Sequence, residues 1–289
     1  MSRKLQRLSV LTLTLVVVLC CLINKASSYQ GTSRPAAKFF AHLGPTPAAF
    51  KTRIRALVPA YFDPIDNAQD WSALIEAGKR ISIIAIINPN SGPGDAPQQS
   101  YKDAIARAQS AGITVIGYVS TDEGNRPPDK VRNDIDKWTS FYPKINGIFF
   151  DEQATGDDKV AVYSAFFAYA RKRIKKATII GNPGTEPSER YLSEAKADIE
   201  CIFESWGDMF DQFSPPSWPS KYQPQRFAVL LHTLEDSNTM KSNVQKLANS
   251  GIGNVYLTDD ELTKDRKGNP WDRLPDYWKD EVEVLRAIK

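Results

Sequence analysis

From residue 57 onward, apolar residues gather into eight short runs separated by longer, polar-faced stretches. The runs are "LVPAYF" (57–62), "ISIIAII" (81–87), "ITVIGYV" (113–119), "INGIFF" (145–150), "TIIG" (178–181), "IECIFE" (199–204), "FAVLLH" (227–232) and "NVYLT" (254–258). The second and seventh are almost continuously apolar, the pattern of parallel strands covered on both faces. Between the runs the spacing turns helical. Over 157–176, Val162, Ala165, Phe166 and Tyr169 recur at three and four, and the basic residues gather at the C-terminal end, where they complement the helix dipole. One helix is predicted to start on a cap at Ser100 and stop at Gly112, another to run from Ser237 to Gly251. Strands alternating with helices predict an α/β fold, a single closed (β/α)8 barrel over residues 57–289. Periodicity alone leaves an open doubly wound sheet as the alternative. The nucleotide fingerprint of that fold is missing, since "NPNSGPG" (88–94) carries neither Gly-x-Gly-x-x-Gly nor Gly-Lys-Ser/Thr and reads as a turn-rich surface loop.

The N-terminus follows another pattern. Arg3, Lys4 and Arg7 precede the uncharged apolar stretch Leu8 to Ile23 and the small-residue segment Ala26-Ser27-Ser28. That order predicts a secretory signal over 1–28, hence a secreted, extracellular or cell-wall protein. Residues 8–23 would instead anchor the chain in a membrane if the signal is not cleaved. Residues 29–56, rich in Pro, Gly, Ala and Ser, read as a flexible lead-in, with Phe39 and Phe40 docking on the barrel. The signal also carries the excess charge. Without Arg3, Lys4, Arg7 and Lys25, 33 of the 37 basic residues face 34 acidic ones, so the overall +3 becomes −1. This balance speaks against nucleic acid as a partner. Cys201 is the one cysteine beyond the signal, so no internal disulfide is expected, and its apolar surroundings mark it as a small buried residue. No Asn-x-Ser/Thr acceptor occurs, and the chain is expected to be a monomer.

In a (β/α)8 barrel the active site stands at the C-terminal strand ends. Here those ends carry Tyr61 and Asp63, Asn88, Tyr118 followed by Asp122 and Glu123, Asp151 and Glu152, Asn182, Glu204 and Trp206, His232, and Asp259 and Asp260. The strand beginnings are poorer in such groups. Adjacent residues on a regular strand point to opposite sides, so of Asp151 and Glu152 one should face the pocket and the other lean toward a neighbouring strand end or loop. Two strands along, Glu204 supplies a further carboxylate. Glycoside hydrolysis needs such a pair, one carboxylate as nucleophile or base and one protonated acid for the leaving oxygen. Burial beside Phe203 and Trp206 would raise the pKa of Glu204. Tyr61, Tyr118 and Trp206 could stack on the apolar faces of sugar rings. The same acids taken singly also fit helix caps or ion pairs, and Asp157 or Asp158 reads as the cap of the helix that follows.

His232 fits either a polar substrate contact or a satisfied core histidine. With His42 the only other histidine, a histidine-rich zinc site is not expected, and neither a metal nor a cofactor is called for. The acids of "DDELTKDRKGNPWD" (259–272) miss the EF-hand spacing, which leaves a solvated loop from which Asp259 could reach the site. Clustered acids could also hold a divalent ion in a metal-dependent phosphohydrolase, a more distant reading.

The stretches "LVPAYFDP" (57–64), "IIAIINPNSGPG" (83–94), "VIGYVSTDEGNRP" (115–127), "INGIFFDEQ" (145–153), "NPGTEPSERYL" (182–192) and "IFESW" (202–206), in this order, resemble the spherulin-4 family. The resemblance runs through nearly all of 57–289. It implies a (β/α)8 fold and, as in fungal members, a glycoside hydrolase that cuts α-1,4 linkages between N-acetylgalactosamine units of galactosaminogalactan. It maps the family's acidic residues onto Asp151, Glu152 and Glu204. The expected division of labour is Asp151 as nucleophile or base, Glu204 as general acid, and Glu152 as a supporting acid. Asp63, Asn88, Asn182, His232 and Asp259, with the three aromatics, complete the expected polysaccharide-binding set. The alternative is a non-catalytic wall or spore-coat protein that binds polysaccharide on the same barrel.

Overall fold

Each of the eight apolar runs forms a strand. The computed structural model describes residues 54–215 and 217–288. The expected signal over 1–28, the anchoring stretch 8–23 and the lead-in with Phe39 and Phe40 lie outside the described residues, apart from the last residues of the lead-in. Strand β1 (Arg55–Ala60) is followed by helix α1 (Ala68–Gly78), and β2 (Ile83–Ile87) by α2 (Gln99–Ser110). Then come β3 (Thr114–Ser120), α3 (Pro128–Phe141), β4 (Gly147–Asp151), α4 (Val160–Arg173), β5 (Thr178–Asn182) and the single turn α5 (Arg190–Ser193). Strand β6 (Ile199–Trp206) leads through three short 3-10 turns to β7 (Phe227–His232), and α6 (Ser237–Asn249), β8 (Asn254–Leu257) and α7 (Trp278–Ala287) complete the barrel. All strands run parallel in sequence order, and β8 closes on β1 through Arg55 opposite Asn254 and Ala56 opposite Val255. Closure excludes the open sheet.

Two helix starts differ from their predicted caps. Helix α2 begins at Gln99, so Ser100 lies inside the first turn. At α6 the cap is Asp236, whose carboxylate accepts from the Thr239 N–H at 2.7 Å and the Thr239 hydroxyl at 2.6 Å. A carboxylate that satisfies two donors displaces the serine one residue on. Neither Asp157 nor Asp158 makes a capping bond to α4. They lie in a 3-10 turn before it, and Asp157 pairs with Arg190 at 3.3 Å.

Strand alternation sorts side chains between the barrel interior and the helical layer. On β4, Phe150 packs outward on Phe166 and Phe167 of α4, with ring centroids 6.5 and 5.0 Å away. Phe149 and Asp151 therefore face the interior. At Gly117 on β3 the backbone comes so close to α3 that an added Cβ would stand 2.5 Å from the Trp138 ring. The Trp138 indole N–H donates to the Tyr118 carbonyl at 2.8 Å, which ties helix to strand. Strand β6 departs from alternation, because its register with β7 slips between Cys201 and Phe203 and Ile202 is left extra. This bulge puts Glu204 on the same face as Cys201, three residues away, whereas a regular strand would put them on opposite faces.

Candidate active site

The bulge turns Glu204 toward the barrel axis, where Asp151 and Asn182 already point. Asp151 and Asn182 are register partners on β4 and β5, so their side chains leave the sheet on one face. The Asn182 amide nitrogen donates to Asp151 Oδ1 at 2.7 Å and to Glu204 Oε2 at 2.6 Å. Asn182 is 5% exposed, and its own Oδ1 accepts from the Gly184 N–H at 3.1 Å, which fixes the amide's orientation. Two oxygens on one nitrogen at those lengths lie within about 5.3 Å of each other.

The two carboxyls are not equivalent. Asp151 receives the Tyr118 hydroxyl, the Glu152 N–H and Asn182, whereas Asn182 is the donor that serves Glu204. Burial raises both pKa values, and the Asp151 charge adds to the rise at Glu204, which is pushed up to about 7. Hydrogen bonds to an ionised carboxylate favour the charge. Three donors against one make Asp151 the ionised member and Glu204 the one that keeps its proton near neutrality.

Glu152 takes a separate place. It follows the last strand residue and has φ of 54°, so it leaves the alternation and turns toward the end of β3. There its Oε2 accepts the Ser120 hydroxyl at 2.5 Å and the Asp122 N–H at 3.1 Å. Its pKa is raised, first by burial and further by the charges of Asp151 and Asp122. Asp122 and Glu123 are also left-handed, with φ of 48° and 49°. Such backbone costs about 1–3 kcal/mol per residue and persists where the surroundings hold it. The Glu123 N–H bonds the Glu152 carbonyl at 2.8 Å, and the Thr121 hydroxyl lies 2.7 and 2.8 Å from the Asp151 and Glu152 carbonyls. Arg126 reaches the Ser120 carbonyl at 2.9 Å and is itself paired with Asp134 at 2.6 Å.

The remaining expected residues divide into those near the acids and those apart from them. Tyr61 and Tyr118 meet edge to face at 5.7 Å, and the Asp151 charge helps to raise both phenol pKa values. Tyr118 is 4% exposed, so its ring lines the wall and its hydroxyl serves Asp151. Trp206 and His232 are register partners with rings 5.2 Å apart, and His232 also packs edge-on against Trp271 at 5.6 Å. Burial, with Lys264 nearby, holds the His232 pKa down at about 4, so the ring is neutral. The Trp206 indole donates to the Leu262 carbonyl at 2.7 Å, and the Lys264 ammonium lies 4.8 Å over its ring. Asp63, Asn88 and Asp259 make local contacts. Asp63 accepts from the Ile65 and Asp66 N–H groups, Asn88 from the Gly92 N–H, and Asp259 pairs with Arg273 at 2.9 Å.

Sequence reasoning missed Ser120, Gln153, Glu200 and Trp271. Ser120 ends β3 and is open to the strand-end rule that found its neighbours. Glu200 carries a different signal, an acid embedded in an apolar run, and it is fully buried. Trp271 lies in a loop whose path no periodicity predicts.

The family model described as spherulation-specific family 4 matches residues 55–285. Spherulin-4 of Physarum polycephalum is 33% identical over 219 residues, which make up 71% of this chain and 63% of that protein. The chain thus spans a little under two thirds of that relative's length. Among solved structures, Aspergillus clavatus Sph3 in complex with GalNAc superimposes with a TM-score of 0.67 at 22% identity, over 82% of this chain and 98% of that one. At that identity the likeness is one of fold.

Proposed function

The chain belongs to the spherulation-specific family 4, and on that premise we propose that it is a glycoside hydrolase with Asp151 as nucleophile and Glu204 as general acid. The observation that carries the reading is the Asn182 amide shared by the two carboxyls, one with three donors and the other pushed up to about 7. A pair of acids separated in pKa by their surroundings is what an acid and a nucleophile require. Their closeness favours retention, for which carboxyls stand about 5–5.5 Å apart, over inversion, which needs about 6.5–9.5 Å for an intervening water.

In the first step an Asp151 oxygen attacks the anomeric carbon while Glu204 gives its proton to the departing glycosidic oxygen. The C–O bond to the leaving sugar breaks, and an ester bond to Asp151 forms. Glu204, now ionised, then takes a proton from water, whose oxygen displaces Asp151 from the anomeric carbon and restores both groups. Asn182 holds the two carboxyls in register throughout. Glu152, held by Ser120, adds negative charge beside the reacting centre, where positive charge develops in the oxocarbenium-like transition state.

The substrate class rests on the relatives. The resemblance to the spherulin-4 family, with the GalNAc bound in Sph3, supports an N-acetylgalactosamine-containing polymer, with galactosaminogalactan as the first to test. Secretion rests on residues 1–28 alone. Purified protein should release oligosaccharides with new reducing ends from galactosaminogalactan, and Asp151→Asn and Glu204→Gln should each lose at least about a thousandfold in rate while remaining folded. Retention predicts that the first product carries the anomeric configuration of the bond cut, read by proton NMR. Full activity in both variants would refute the roles, and polymer binding without new reducing ends would identify a wall or coat protein.

A further inference from the structure

Behind the acid pair, on the outer side of the sheet, a second polar bridge joins the segment after β4 to β6. The Gln153 amide nitrogen donates to Glu200 Oε2 at 2.7 Å. Gln153 is 2% exposed and Glu200 fully buried. Gly181, the register partner of Glu200 on β5, leaves the space between them, since a Cβ there would stand 1.9 Å from Gln153 Oε1 and 2.9 Å from Glu200 Oε2. The other oxygens of the pair, Gln153 Oε1 and Glu200 Oε1, are both buried without a partner.

Two buried acceptors left bare on one hydrogen-bonded pair would cost about 1–3 kcal/mol each. One proton removes both penalties, because a protonated Glu200 Oε1 becomes a donor for Gln153 Oε1. We infer that Gln153 and Glu200 form a reciprocal amide–carboxylic acid pair that positions the Asp151–Glu152 turn from behind the sheet. Burial supports this state by pushing the Glu200 pKa up to about 8. The charged and titratable groups that face it do not reverse the balance. The Arg226 charge draws the Glu200 pKa down, less than burial raises it, and its guanidinium bonds the carbonyls of Asp198 and Ala197 at 2.7 and 2.6 Å. The Tyr163 hydroxyl serves Thr121 and Ala154, and the Tyr191 hydroxyl serves the Gly156 carbonyl. The Cys201 pKa is raised well above its usual value, so that thiol is neutral.

The pair acts on the site through its neighbours in the chain. Gln153 follows Glu152 directly, and its N–H donates to the Asn182 carbonyl at 2.9 Å, so fixing its side chain fixes the left-handed turn and the β5 end together. Its effect on turnover would rest on the glycosidase reading, but the pair itself does not.

The test therefore uses no substrate. The infrared difference between the full chain and its Glu200→Gln variant at pH 7 should show the carbonyl stretch of an un-ionised carboxyl group in the wild type alone, fading as pH rises through about 8. Its absence at pH 7 would overturn the pair. Hydrogen exchange over 147–156 tests the positioning. Gln at 200 can both donate and accept, so Glu200→Gln should exchange within about twofold of wild type, whereas Gln153→Leu and Glu200→Leu should speed exchange there about tenfold and leave β1 and β2 unchanged. Should Glu200→Leu fail to fold, Gln153→Leu carries the comparison. Wild-type exchange in Gln153→Leu would show that the pair positions nothing.

Discussion

Replacing Glu204 by Gln should stabilise the protein at alkaline pH while removing its proposed acid. In the folded chain the Glu204 pKa is raised from an ordinary 4.5 to about 7. Between those values the unfolded chain has lost the proton and the folded chain keeps it, so stability falls as pH rises through this window and levels off above it. The contribution is fully present below about 4.5 and lost once pH passes about 7. At about 1.36 kcal/mol per pKa unit the loss is about 3.4 kcal/mol, and solvent at the barrel mouth trims it to about 2 kcal/mol. Gln carries no charge at any pH, retains an oxygen for the Asn182 amide, and places a neutral group beside Asp151. Urea or thermal unfolding of both proteins at pH 4.5, 6, 7 and 8.5 should give equal stability at the lowest pH. A gap of about 2 kcal/mol in favour of the variant should open by pH 8.5, equivalent to roughly 4–8 °C in Tm for a domain of this size. A variant less stable than wild type at pH 8.5, or a difference that does not change with pH, would refute a buried acid strained by its neighbour.

Three further outcomes follow from the same geometry. Activity on galactosaminogalactan should be bell-shaped in pH, with the alkaline limb falling through about 7 as Glu204 loses its proton and the acid limb falling as Asp151 gains one, measured as kcat/KM across the range. Asn182→Ala removes a charge-assisted bond to Asp151 worth about 1.5–3 kcal/mol, so the acid limb should move up by about 1–2 pH units, and an unmoved limb would discount the bridge. Gly117→Ala drives a methyl group into the Trp138 ring, and chemical denaturation should show a loss of about 1–3 kcal/mol.

The site was legible in part, and the division has a pattern. Asp151, Glu152, Asn182 and Glu204 could be placed at one end of the barrel because they follow or end apolar runs, and the strands could be placed because those runs are local. What each does there was not legible. Asn182 belongs to the expected binding set, and the bond of its amide to both carboxyls is a relation that the sequence does not carry. Asp63, Asn88 and Asp259 satisfied the same strand-end rule and are occupied with turns and an ion pair, because that rule names an end of the barrel and not a direction.

Period and composition determine where this chain makes its eight strands, that helices follow most of them, and that its acids collect at one end. These are properties of short windows, since burial of an apolar run needs no knowledge of its partners. Tertiary structure alone decides which way those acids point. Counting by twos from Cys201 turns Glu204 away from the interior, and the extra Ile202 at the β6–β7 register slip brings it back. A bulge is set by how two strands pair, not by either sequence on its own. The same holds for the bridges of Asn182 inside the barrel and Gln153 outside it, which join residues from three strands that meet only after the sheet has closed.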